Sequence, residues 1–123
     1  MKLFAAALGA LLLLCTSVRA DPIVLADGTY ASAEEYLIGT WTSGPRRIAF
    51  ARDGGVTYEN TAQGRVSYGR YEIRGTRFHL IINRSCDKSG ACQTTDDPAV
   101  ADAPFKPLSA KAFLSNAERW ERQ

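Results

Sequence analysis

One histidine, His79, and three cysteines are all the imidazole and thiol groups that this 123-residue sequence can offer a metal ion. A structural zinc shell takes four ligands. Cys86 and Cys92 with a single imidazole do not complete one, so no metal site is expected. A glycine-rich phosphate loop, a nucleophile elbow and zinc-type spacing are also missing, and no cofactor is expected. Asp96 and Asp97 are neighbours in a proline-bounded stretch and read as separately solvated. A general base needs a partner within hydrogen-bond reach, and nothing near His79 in the chain supplies one. His79 lies in a strand pattern opposite Phe78, Leu80 and Ile82, which reads as an exposed or rim position. The sequence leans away from an enzyme and assigns no catalytic residue.

A dominant charge is lacking as well. Lys and Arg number 15 against 13 Asp and Glu, a net charge of +2. Lys2 and Arg19 fall in the first twenty residues, so the remainder carries 13 of each sign. Nucleic-acid binders show a basic excess or a concentrated stripe. Arg65, Arg70, Arg74, Arg77 and Arg84 do bunch together, but Glu59 and Glu72 lie among them, and a solvated face accounts for the set. No nucleic-acid partner is expected.

Long apolar runs occur once, at residues 3–15. Lys2 precedes the run, and Val18-Arg19-Ala20 follows with small or β-branched residues at −3 and −1, the pattern of a secretory signal peptide. Thirteen residues rising ~1.5 Å each span roughly 20 Å, against about 30 Å of hydrocarbon. The run is too short for a membrane anchor, and no later segment is longer. Leu14 stands where a lipoprotein signal wants a small residue, so Cys15 reads as part of the apolar run. The expectation is a signal peptide at 1–20, cleavage after Ala20 and a periplasmic or secreted domain. Two cysteines in an oxidising compartment then predict a Cys86–Cys92 disulfide.

Beyond residue 20, Pro22 and Asp27-Gly28 suggest an extended arm with a turn at 21–31. Ser32-Ala33-Glu34-Glu35 fits a capping box. It opens a helix that Gly39 stops near Ile38, with Tyr36 and Leu37 as its anchors. Short β segments follow at 39–43, 47–51, 56–61, 65–73 and 77–83, punctuated by Gly44-Pro45, Asp53-Gly54, Gln63-Gly64 and Arg74-Gly75. Gly69 interrupts the fourth, where a bulge is expected. Residues 96–107 hold Pro98, Pro104 and Pro107 and read as a connection. Two last strands fall at 112–114 and 118–122. Turns every eight to twelve residues mark an antiparallel sandwich or barrel, and residues 32–123 read as one domain.

A short helix followed at once by Gly39-Thr40-Trp41 resembles the start of the lipocalin and wider calycin barrels. Phe50-x-x-Asp53-Gly54 and Gly69-Arg70-Tyr71 look like the small bacterial lipocalin-like domains. The resemblance implies an all-β, up-and-down barrel with a short N-terminal helix. It implies that Trp41 closes one end beneath a basic residue of the last strand, for which Arg119 and Arg122 are the matching positions. The structural set it suggests is Gly39, Trp41, Arg119 and Arg122. The implied function is binding of a small apolar or anionic ligand. Tyr58, Tyr68, Tyr71 and Phe50 would line the pocket, and Arg70 or Arg77 would grip an anion. Such a set of aromatics is more often simply a packed core, because an eight-stranded barrel can be filled by its own side chains. The chain also resembles the small periplasmic inhibitors of metalloproteases, whose arm enters the protease cleft. That likeness implies an envelope or secreted protein as partner, met through residues 21–30, although the cysteines here come later than in that family.

Overall fold

The computed structural model describes residues 21–123, so the segment read as a signal peptide lies outside the described residues. The described chain is all-β apart from one short helix. Its strands are β1 (Ile23–Leu25), β2 (Gly28–Tyr30), β3 (Gly39–Ser43), β4 (Arg46–Phe50), β5 (Gly55–Asn60) and β6 (Arg65–Arg74). They continue with β7 (Arg77–Cys86), β8 (Cys92–Pro104), β9 (Lys106–Ser109), β10 (Ala112–Ser115) and β11 (Glu118–Arg122). The helix α1 covers Ala33–Leu37.

β1 and β2 form a hairpin of their own. The other nine strands make one antiparallel sheet in the order β8-β7-β6-β5-β4-β3-β11-β10-β9. Phe78 of β7 and Phe113 of β10 lie far apart in that order, yet their ring centroids are 6.3 Å apart. The sheet therefore curls so that one face lines a shared interior. Its two terminal strands are separated in the chain by Phe105 alone. They do not pair with each other: β8 is laddered to β7 and β9 to β10. The chain thus passes from one end of the sheet order to the other at Phe105, whose N–H donates to the Thr76 carbonyl at 2.9 Å.

Alternation decides what enters the interior. Trp41, Ile48, Phe50, Val56, Tyr71, Phe78, Leu80, Phe113 and Trp120 are buried there in one cluster. An irregularity between β9 and β10 skips Leu108, while β10 alternates regularly against β11: Phe113, opposite Trp120, joins the cluster, and Ala112, opposite Glu121, is buried outside it. The bulge expected at Gly69 is present, between Tyr68 and Gly69. Glycine is required there by space, because a Cβ would lie 1.9 Å from the Ile81 carbonyl oxygen.

Two segments differ from their sequence reading. Residues 21–31 are extended with a turn at Asp27-Gly28, β1 pairing with β2 across it, but the segment does not stand free as an arm. Ile23, Leu25 and Tyr30 pack on the core, and Asp27 accepts from the Ala110 N–H at 2.8 Å. Burying three apolar side chains outweighs keeping the segment free. Residues 96–107 are not a loose connection but most of β8 and β9. The prolines fall where no ladder donor is needed. Pro98 sits in the excursion where Thr94 pairs Arg84 and Ala99 pairs Ile82, and Pro104 ends its strand. Pro107 lies on the terminal strand β9.

Candidate functional site

The two ends of the curled sheet differ, and the difference begins with α1. Ser32 caps the helix by accepting from the Glu35 N–H at 3.2 Å. Only that half of the capping box forms, since the Glu35 carboxylate turns outward to Arg52 at 2.7 Å. Helix C-termini leave carbonyls without partners, and here side chains from the sheet take them. Arg122 donates to the carbonyls of Tyr36 at 2.6 Å and Ile38 at 2.9 Å, while the Trp41 indole N–H donates to Leu37 at 2.9 Å. Arg122 also donates to Ala110 at 2.9 Å and lies 4.2 Å from the Trp41 ring centroid.

Gly39 is explained by the same contact. Its φ of +126° disfavours an L side chain, and a Cβ would come within 3.0 Å of an Arg122 nitrogen. Tyr36, fully buried, places its hydroxyl 2.8 Å from the carbonyls of Ser109 and Ala112. Burial pushes its pKa up to about 12. Arg119, the other basic position of the last strand, points outward to Glu121 at 3.2 Å. This end is a plug.

Pairing places the β3–β4, β5–β6, β7–β8 and β10–β11 connections at the opposite end. The Cys86–Cys92 disulfide ties one of them. The β10–β11 turn is strained, with Asn116 at φ 50° and Ala117 at φ 64°. Below these turns a cleft of about 270 Å³ runs into the interior. Its floor and walls are apolar and largely aromatic: Ile48, Phe78, Leu80, Phe113, Trp120 and Ala103. Tyr58, Ser115 and Asn116 add neutral polar groups. At the rim Arg46 is paired with Glu118, which also accepts from the Ser43 hydroxyl at 3.1 Å. The Arg46 guanidinium stands 5.4 Å from the Trp120 ring centroid.

Of the ligand residues expected from sequence, Tyr58 alone lines this cleft. Phe50 and Tyr71 are core neighbours at 4.9 Å, and the Tyr71 hydroxyl donates to the Ala51 carbonyl at 2.7 Å. Tyr68, Arg70 and Arg77 are corrected to the outer face, because register puts Gly69 and Tyr71 inside and their alternate neighbours outside. There Tyr68 lies under Arg84, with 5.6 Å from guanidinium to ring centroid, and Arg77 binds Asp102 at 2.6 Å. His79 is also outside, with Nδ1 3.1 Å from Asp102. Arg77 and then His79 hold the Asp102 carboxyl below its ordinary range. Sequence reading missed Arg46, Glu118, Ser115 and Trp120. Arg46 and Glu118 are 72 positions apart in the chain, so no local motif could announce them.

A second depression, of about 510 Å³, lies at the plug end between β1 and the β6–β7 turn. Asp21 and Pro22 form part of its wall, and Phe105 of the core cluster lines it together with Ile23, Leu25 and Ile73. Among the described residues no group of three or more His, Cys, Asp or Glu is placed to hold a metal ion. No helix among them is long and apolar enough to cross a membrane. Comparison with protein-family models, curated proteins and solved structures finds no match to this chain.

Proposed function

We propose that this chain is an exported, lipocalin-like binding domain that takes a small, largely apolar ligand into the interior cleft. The observation that carries the reading is the asymmetry of the two ends. One is stoppered by α1, Trp41 and Arg122, and the other leads to an aromatic cleft of about 270 Å³. Ligand sites bury most of the ligand against apolar and aromatic walls with a few polar groups for orientation. A dry cavity of about 150 Å³ already accepts benzene, so this larger cleft, open at its mouth, suits a compact aromatic ligand or a short acyl chain. The Gly39-x-Trp41 element, the docking of Arg122 on it and the consecutive strand order support a lipocalin-like barrel closed at Phe105.

The N-terminal pattern supports export, with residues 1–20 removed as a signal peptide. N-terminal sequencing of the protein recovered from the envelope or medium should begin at Asp21. The inhibitor reading draws less support, because β1 and β2 pack on the domain rather than standing free. Ligand binding is tested by titrating the protein with the neutral fluorophore N-phenyl-1-naphthylamine. Saturable binding is expected, weakened by Ala103→Leu, which fills the cleft. Binding unaffected by that substitution would place the ligand elsewhere.

A further inference from the structure

The charges at the rim define which ligands the cleft takes, an inference that rests on the binding reading above. A guanidinium beside an aromatic cleft ordinarily marks an anion site. Here Arg46 is already engaged by the Glu118 carboxylate, which the Ser43 hydroxyl holds in place. Among the described lining residues these are the two that carry charge, and they cancel. The remaining polar groups, Tyr58, Ser115 and Asn116, are neutral donors and acceptors.

We infer that the cleft selects uncharged molecules, with an aromatic or alicyclic body and at most hydroxyl or carbonyl substituents, and that Glu118 is the residue that excludes anions. An anion entering the cleft has to draw Arg46 away from Glu118. The freed carboxylate then faces a like charge at the cleft mouth, where the two rim side chains are 37% and 31% exposed, so that water and salt reduce the repulsion without removing it. A neutral ligand leaves the pair intact and stacks on the rings beneath it. Arg46 stands 5.4 Å from the Trp120 ring centroid, and Trp120 is in turn stacked with Phe113 at 6.3 Å between ring centroids.

Two dyes that differ by one sulfonate test this on the purified protein. They are N-phenyl-1-naphthylamine, which is neutral, and 1-anilinonaphthalene-8-sulfonate, its anionic counterpart. The wild type should bind the neutral dye at least ~10-fold more tightly, and the neutral dye should displace the anionic one. Glu118→Gln should strengthen anionic-dye binding by ~10-fold relative to the neutral dye. Arg46→Gln, which leaves Glu118 unopposed, should weaken the anionic dye further. Circular dichroism on each variant verifies that it is folded.

Equal or tighter binding of the sulfonate by the wild type, lost in Arg46→Gln, would overturn the inference and make Arg46 an anion site. Unchanged sulfonate affinity in folded Glu118→Gln would remove Glu118 from the selection. Failure of both dyes to bind would overturn the binding reading itself, a result distinct from loss of selectivity.

Discussion

Arg122 lies flat over Trp41, 4.2 Å from guanidinium carbon to ring centroid, and from that position donates to carbonyls at both ends of the chain. The contact joins the last strand to the third and closes the C-terminus of α1. Replacing Arg122 by Leu should lower unfolding free energy by about 3 kcal/mol, because three buried or half-buried carbonyls lose a charged donor. Arg119→Ala, on the outer face of the same strand, should stay within about 0.5 kcal/mol of the wild type. Urea titration of the two variants separates a plug from a generic basic strand.

Gly69 carries a different constraint. A Cβ there meets the Ile81 carbonyl at 1.9 Å, whereas at Gly75 nothing stands within 4 Å and only the φ of +63° opposes a side chain. Gly75→Ala should cost about 1 kcal/mol. Gly69→Ala should cost more, about 2–4 kcal/mol, since the β6–β7 ladder has to part.

Ala117 occupies left-handed backbone, φ 64°, in the turn at the cleft mouth. Ala117→Gly should raise stability by about 0.5–1 kcal/mol, the relief of the Cβ strain less the entropy that glycine adds to the unfolded chain. A fall in stability would mean that the methyl group packs usefully at the mouth.

Tyr36 gives the fold an alkaline limit. Its ordinary pKa of 10.0 is raised by burial to about 12. Between those values the unfolded chain has lost the proton and the folded one retains it, so stability is complete below pH 10 and falls as pH rises to 12. The drop attributable to Tyr36 should be about 2–3 kcal/mol. In Tyr36→Phe the overall stability is lower by about 1 kcal/mol, but this alkaline slope disappears. Denaturant titrations at stepped pH read both effects.

Much of this architecture is visible in the chain. Phe78, Leu80 and Ile82 share one parity, with Arg77, His79 and Asn83 on the other and Ile81 as its apolar exception, so β7 and its inner face can be read directly. Gly39, Trp41 and the basic ends of the last strand mark the plug. β8 is harder to see because nearly all of it is exposed, and the positions paired with Ile82, Leu80 and Phe78 are the small residues Ala99, Ala101 and Ala103, which offer little contrast with polar neighbours. The sides of β6 are ambiguous for a physical reason. The irregularity at Gly69 skips Asn83 of β7, so β6 keeps strict alternation and Tyr68 and Tyr71 take opposite faces, but only the pairing of Tyr71 with Leu80 decides which of them enters the interior. The rim pair is hidden altogether, since Arg46 and Glu118 meet only once β4 and β11 have paired on either side of β3.

The two tryptophans allow the most direct test of the cleft at the end opposite the plug. Trp120 lines the cleft and Trp41 is sealed in the stopper. Proton–nitrogen spectra recorded while N-phenyl-1-naphthylamine is added should show the Trp120 indole and the amides of Ile48, Phe78 and Phe113 shifting to saturation, with the Trp41 indole stationary. Shifts confined to Ile23, Leu25 and Ile73, or an unmoved Trp120 at saturating dye, would contradict the account.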